Sequence, residues 1–210
     1  MEDSGARACL WTWGWGEFGR LGHGDTVSQL EPKSLAHEAL NGAIFVACGG
    51  HHTVAVTEDG EVVSWGWGSE GQLGSGNAFD QTVPAVVKAL SSHRVCGVAC
   101  GYYHTAVVTD VGLVMCWGKG NSGQLGQGDW TSSLLPRTIS TLYNEKIRQI
   151  ACGMAHTIAL SMNGEIYSWG AGADGQLGIG KQLDEATDVA TPQKVKLEEE
   201  EKFEFVAFGC

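Results

Sequence analysis

Proline is scarce, at four residues in a chain of 210. So little proline argues against a proline-rich disordered segment. Basic residues are also few: 13 Lys and Arg stand against 24 Asp and Glu, for a formal net charge of −11. A phosphate backbone is gripped by clustered Lys and Arg, so direct binding of DNA or RNA is not expected. The same charge opposes an anionic membrane surface. No run approaches the ~18 apolar residues of a membrane span. Met1 to Ala8 lack the basic start and apolar core of a signal peptide. There is no CxxC pair, Walker lysine, nucleophile elbow or paired carboxylates in a recognisable setting. No catalytic, cofactor-binding or metal-binding residue is therefore assigned, and the chain reads as a non-enzyme. Seven cysteines, an odd number without a signal peptide, imply free thiols in a reducing compartment, cytoplasmic or nuclear.

Glycine, by contrast, is abundant at 31 residues. It falls in register with an internal repeat. Trp13-Gly14, Trp65-Gly66, Trp117-Gly118 and Trp169-Gly170 are spaced 52 residues apart. Leu21-Gly22, Leu73-Gly74, Leu125-Gly126 and Leu177-Gly178 keep the same step, as do His52-Thr53, His104-Thr105 and His156-Thr157. Ala47-Cys48-Gly49 recurs at Ala99-Cys100-Gly101 and Ala151-Cys152-Gly153. Pro32, Pro84 and Pro136 follow suit, and Pro192 arrives four residues late, which places a four-residue insertion in Lys181 to Thr191.

Each unit reads as strands. Phe45 to Cys48 is a short apolar run stopped by Gly49-Gly50, and Thr53 to Thr57 leads into Glu58-Asp59-Gly60. Asp-Gly between two β-rich runs predicts a tight hairpin, with Glu61 to Trp65 as the return strand. A glycine-dense loop follows, and Pro84 to Lys88 suits an outer edge strand, where proline is tolerated. Four short strands in ~50 residues describe a propeller blade. The fold class expected is all-β, a β-propeller of four-stranded antiparallel blades, with residues 1–210 as a single repeat domain.

The stretch FVACGGHHTVAVTEDGEVVSWGWGSEGQLGSG, Phe45 to Gly76, closely resembles the repeat of the regulator of chromosome condensation family. The resemblance runs from Trp11 to Gly209 and implies a seven-bladed ring around a central shaft. Seven blades at this step need about 360 residues. The chain breaks off at Cys210, within a further copy begun by Val206-Ala207-Phe208-Gly209, so an incomplete ring and a fragment or short isoform are expected.

A residue found in every copy serves the blade; one found in a single copy is free to serve a site. On this test His52, His104 and His156 are expected to make hydrogen bonds inside their blades. Cys48, Cys100 and Cys152 read as small apolar residues. Cys96, Cys100 and His104 form C-x3-C-x3-H, but two are repeat positions and no fourth ligand stands at zinc-finger spacing. Gly14-Trp15-Gly16 and Gly66-Trp67-Gly68 lack a phosphate-loop lysine. The acidic run Glu198 to Glu201, with Glu204, reads as a solvated loop, or as a patch for a basic partner. The turn after the first strand differs between copies: Gly50-His51, Tyr102-Tyr103 and Met154-Ala155. Trp15 and Trp67 are matched by Lys119 and Ala171. Tyr102, Tyr103, His51, Trp130 and Arg94 are thus the candidate partner-binding residues, being of types that dominate interfaces.

The favoured reading is a protein–protein interaction scaffold whose partner is a small GTPase or a basic protein, with no cofactor. The resemblance implies two alternatives. One is guanine-nucleotide exchange on a small GTPase, which the founding member performs with a wedge that has no counterpart here. The other is ultraviolet-B reception, as in a plant branch that uses a Gly-Trp-Arg-His motif. The matching positions here, Gly49 to His52, Gly101 to His104 and Gly153 to His156, lack its tryptophan and arginine.

Overall fold

The computed structural model describes residues 10–180, 188–196 and 203–207. Most of the insertion (181–187), the acidic run 198–201, Cys9 and Cys210 lie outside the described residues. Fourteen strands are described, in chain order. β1 (Leu10–Gly14) pairs with β2 (Gln29–Leu35) alone, as a half-blade. Three full antiparallel meanders follow. The first is β3 (Ala43–Cys48), β4 (His52–Thr57), β5 (Val62–Gly66) and β6 (Gln81–Val86). The second is β7 (Val95–Cys100), β8 (His104–Thr109), β9 (Val114–Gly118) and β10 (Ser133–Thr138). The third is β11 (Ile147–Cys152), β12 (His156–Ser161), β13 (Ile166–Gly170) and β14 (Val189–Lys194). The all-β blade architecture is as expected; among the described residues there are three full blades and one half-blade, and no closed ring.

In the first two full blades the middle strands are buried along their whole length, and in the third Ile158 of β12 is half-buried. Every residue of β4, β5, β8 and β9 is buried, because each has a strand on both sides and a blade on both faces. The cores therefore lie between blades: Trp117 and Met115 pack with Val54, Val56 and Val62 of the preceding blade. Trp169 and Tyr167 pack likewise with Ala106, Val108 and Val114. The first strands β3, β7 and β11 lie against one another. Trp13, phase-equivalent to the fully buried Trp65, Trp117 and Trp169, is 59% exposed.

The outer strand departs from expectation. It spans Gln81–Val86, and Lys88–Leu90 forms a 3-10 turn that buries Leu90 instead of extending the strand. Pro84 lies where the register between β5 and β6 slips, between the pairs Ser64–Ala85 and Gly66–Gln81. Pro32, Pro136 and Pro192 occupy the same irregularity in β2, β10 and β14. All four prolines thus sit at outer-strand bulges, where no ladder hydrogen bond is lost.

The histidines correct a second expectation. The side-chain bonds of His52 and His104 run between blades, not within them. His52 Nε2 meets Thr105 Oγ1 of the next blade at 2.9 Å, and His104 Nε2 meets Thr157 Oγ1 at 2.9 Å. Thr105 Oγ1 donates to Gln72 O (2.8 Å), which also accepts Trp117 Nε1 (2.9 Å). Gln124 O receives Thr157 Oγ1 and Trp169 Nε1 in the same way, and Arg20 O receives Thr53 Oγ1 and Trp65 Nε1. The threonine proton is committed to a carbonyl, which only accepts, so the histidine must donate through Nε2–H. Burial lowers His52 and His104 to about 3 and keeps them in that neutral form. Glycine is required beside them: a Cβ on Gly101 would meet the His104 ring and lie 2.7 Å from Gly153 O of the next blade.

The segment 203–207 continues the pattern. Phe203 N donates to Gly164 O (3.2 Å), as Val95 N does to Gly60 O (3.1 Å) and Ile147 N to Gly112 O (3.2 Å). Val206 is buried against Leu160 and Ile166.

Candidate functional site

Antiparallel strands place two loops of each blade at one end: the short turn between its first and second strands, and the glycine-rich loop between its third and fourth. His51, Tyr102 and Tyr103 stand in the short turns, and Phe18 and Trp67 in the glycine-rich loops. Five rings from the half-blade and two full blades meet there. Tyr102 and Tyr103 are edge-to-face at 4.4 Å, and Trp67 lies 5.1 Å from Tyr103. The His51 ring is 5.2 Å from Tyr102, 5.6 Å from Trp67 and 5.6 Å from Phe18. Such spacings are those of attractive aromatic pairs.

Two cations flank the cluster. The Arg20 guanidinium lies over Trp15 at 4.8 Å and over Phe18 at 5.7 Å. Lys119 Nζ lies over Tyr103 at 5.0 Å and 3.9 Å from Glu70. Both are cation–π geometries. Burial lowers the pKa of Arg20 and of His51, and the Arg20 charge lowers His51 further. Trp15 is 60% exposed and Tyr102 38% exposed, so the platform presents aromatic surface to solvent. Gly50 permits the packing: a Cβ there would come within 2.9 Å of the Tyr102 ring.

The turns are also joined through their backbones. Gly50 N donates to Tyr102 O (3.2 Å) and Tyr102 N to Met154 O (3.1 Å). The platform is therefore fixed to the inner ends of three blades.

Three of the five candidates from the sequence come together here: His51, Tyr102 and Tyr103. Trp130 is at the same end but farther out, half-exposed beside Gly123, and makes no ring contact with the cluster among the described residues. Arg94 is at the opposite end, where its Nη2 donates to Glu58 O (2.6 Å) in the hairpin of the preceding blade. Phe18 and Arg20 escaped the sequence reading, although the 52-residue step carries a signal for both. Phe18 stands where Glu70, Ser122 and Asp174 stand in the other copies, and Arg20 where Gln72, Gln124 and Gln176 stand.

Groups that could suggest chemistry are held elsewhere. His104 Nε2 is engaged by Thr157, Cys96 Sγ points to Val108 O (3.5 Å) and Cys100 Sγ to Ala47 O (3.6 Å). Burial raises the Cys152 thiol to about 12 and the Cys100 and Cys116 thiols well above their usual value, so they stay protonated. Among the described residues no three His, Cys, Asp or Glu gather as metal ligands. No helix among them is long and apolar enough to cross a membrane.

Comparison with known proteins agrees with this architecture. Residues 8–210 match the RCC1-like domain. The chain is 42% identical over 201 residues to the ultraviolet-B receptor UVR8 of Arabidopsis thaliana, covering 94% of this chain and 44% of the receptor. It is 38% identical over 179 residues to the human E3 ubiquitin-protein ligase HERC2, covering 82% of this chain and 4% of the ligase. Human WBSCR16 superposes with a TM-score of 0.79 at 31% identity, over 90% of this chain and 48% of that one. Saccharomyces cerevisiae Prp20p, described with its binding to Gsp1p and histones, gives 0.79 at 24% identity, over 91% and 47%. The chain thus spans less than half the length of these relatives. With its blades, inter-blade joints and repeat wording in agreement, the chain belongs to the RCC1-like domain family.

Proposed function

We propose that this chain is a non-catalytic protein–protein interaction scaffold, working in the cytoplasm or nucleus, and that its partner seats on the aromatic platform. The observation that carries this reading is the meeting of Phe18, His51, Trp67, Tyr102 and Tyr103, drawn from three structural units. The inter-blade joints make no use of these rings, and partly exposed aromatics are the usual anchors of interfaces. Among the described residues, the loops at this end carry Glu17, Asp25, Glu70, Asp80, Asp129, Asp174 and Asp188 against Arg20 and Lys119. An acidic rim around an aromatic centre suits a basic partner whose arginines stack on the rings. Trp130 then belongs to the outer rim of the same surface.

The test uses an arginine-rich peptide followed by fluorescence anisotropy, with the full chain and its Trp67→Ala and Tyr102→Ala variants. Truncating an anchoring aromatic costs about 2 kcal/mol, or ~30-fold in Kd. Undiminished affinity in both variants, with an intact fold, would sink the platform as the binding surface.

Exchange on a small GTPase is a finer version of the same reading, since it requires binding to the nucleotide-free state and no catalytic group. The yeast structural neighbour, described as binding Gsp1p, motivates it. Release of a fluorescent nucleotide from a panel of small GTPases, unaccelerated by the chain, would exclude it. Ultraviolet-B reception gains one observation, the Trp15–Arg20 stack at 4.8 Å, which lies in a different loop from the motif positions. An elution profile unchanged by ultraviolet-B would remove that reading.

A further inference from the structure

We infer that Arg20 is the positioning residue that assembles the aromatic platform, by displacing the glutamine that shapes the same loop in every other copy. The inference rests on the platform being the binding surface only for its significance; the assembly itself is measurable without a partner.

In the other three copies the glutamine carboxamide closes its own loop. Gln72 Oε1 accepts Glu70 N (3.0 Å), Gln124 Oε1 accepts Ser122 N (2.9 Å) and Gln176 Oε1 accepts Asp174 N (2.8 Å). The residue two before the glutamine is thereby held, and in none of these copies does it have a positive φ. A guanidinium has no acceptor to offer. At Arg20 the amide of Phe18 therefore loses this closure, and Phe18 adopts φ 61°, the only positive φ at a non-glycine among the described residues. A bulky side chain rarely takes that conformation. Here it carries the Phe18 ring to 5.6 Å from His51 and 5.8 Å from Trp67.

The freed guanidinium makes new contacts. Nε donates to Glu17 O (2.9 Å) within the loop, and Nη1 crosses to Gly50 O (3.2 Å) in the next blade. That second bond extends a series. Tyr102 O accepts Gly50 N and Met154 O accepts Tyr102 N, so each turn carbonyl receives a donor from the blade before it. For Gly50 O the donor is the Arg20 side chain. The turn holding His51 is thus fixed at both of its Gly50 polar groups, and the guanidinium face packs on Trp15 and Phe18.

The exchange leaves the blade joint unaltered. The joint uses the main-chain carbonyl of this residue, and Arg20 O accepts Trp65 Nε1 (2.9 Å) and Thr53 Oγ1 (3.0 Å) as Gln72 O and Gln124 O accept their equivalents. A side chain can therefore change the surface here without changing the fold.

The experiment compares the full chain with Arg20→Gln and Arg20→Lys. Gln is the residue the other copies use, so the variant folds, which far-UV circular dichroism and thermal unfolding verify. With Gln at position 20, near-UV ellipticity from the clustered rings falls and hydroxyl-radical labelling of Phe18 and Tyr102 rises severalfold. Lys, which keeps the charge but replaces the rigid guanidinium fork with a single nitrogen, gives an intermediate result. Unchanged near-UV ellipticity and labelling in Arg20→Gln would overturn the assignment. Peptide binding is scored separately. A dispersed platform with affinity retained refutes the binding surface and leaves the role of Arg20 standing, whereas an intact platform with affinity lost refutes the role of Arg20.

Discussion

Thr105→Val probes the joint between blades. Valine keeps the shape of threonine and removes one hydroxyl. That hydroxyl donates to Gln72 O at 2.8 Å and faces His52 Nε2 at 2.9 Å, and both Thr105 and His52 are buried. Gln72 O keeps its bond from Trp117 Nε1, so the carbonyl is not orphaned. His52 Nε2–H is orphaned, in a place water does not reach. Loss of one bond at ~1 kcal/mol and stranding of a buried donor at ~1–3 kcal/mol give about 3 kcal/mol. For a domain of this size that is a fall of ~10 °C in Tm. Ser64→Ala is the internal control. Ser64 Oγ donates only to Leu73 O, and the second full blade already carries Cys116 at the equivalent position. That variant removes one bond and takes the serine donor from the Leu73 carbonyl, a smaller loss than a stranded N–H, and should cost about 1–2 kcal/mol. Thermal unfolding by circular dichroism measures both. If Thr105→Val costs no more than Ser64→Ala, the histidine–threonine pair does not join the blades.

Two further outcomes follow from the same geometry. His52 and His104 have folded pKa values lowered to about 3 from an ordinary 6.5, so the unfolded chain takes up protons first as pH falls. Their contribution is complete above pH 6.5 and is lost toward pH 3, at up to ~1.4 kcal/mol per pH unit for each histidine; urea midpoints that stay flat between pH 7 and pH 5 would contradict this. Gly101→Ala places a methyl against His104 and Gly153 O, and should destabilise by about 3 kcal/mol through overpacking. A wild-type urea midpoint for that variant would mean that the blades can part at no cost.

Much of the blade was legible because its signals are local. Asp59-Gly60 marks the β4–β5 hairpin, and the alternation of apolar runs with glycine marks the strand ends. The partner of His52 was not legible, because a repeat shows that three histidines are equivalent without showing which copy each one touches. The strand at Pro84 was placed late because Val87 and Lys88 look extended in sequence, while burial of Leu90 closes a 3-10 turn there. At the site, His51, Tyr102 and Tyr103 stood out as departures from the repeat. Phe18 was hidden for a different reason: its position depends on a left-handed backbone that results from a change two residues away.

The prolines at the outer bulges restrict how this protein can meet others. Pro32, Pro84, Pro136 and Pro192 remove an amide donor from the free edge of every sheet, at a point where the edge is already irregular. An incoming extended peptide would need a regular row of such donors to add itself as a fifth strand. The circumference is thus a poor template for strand addition.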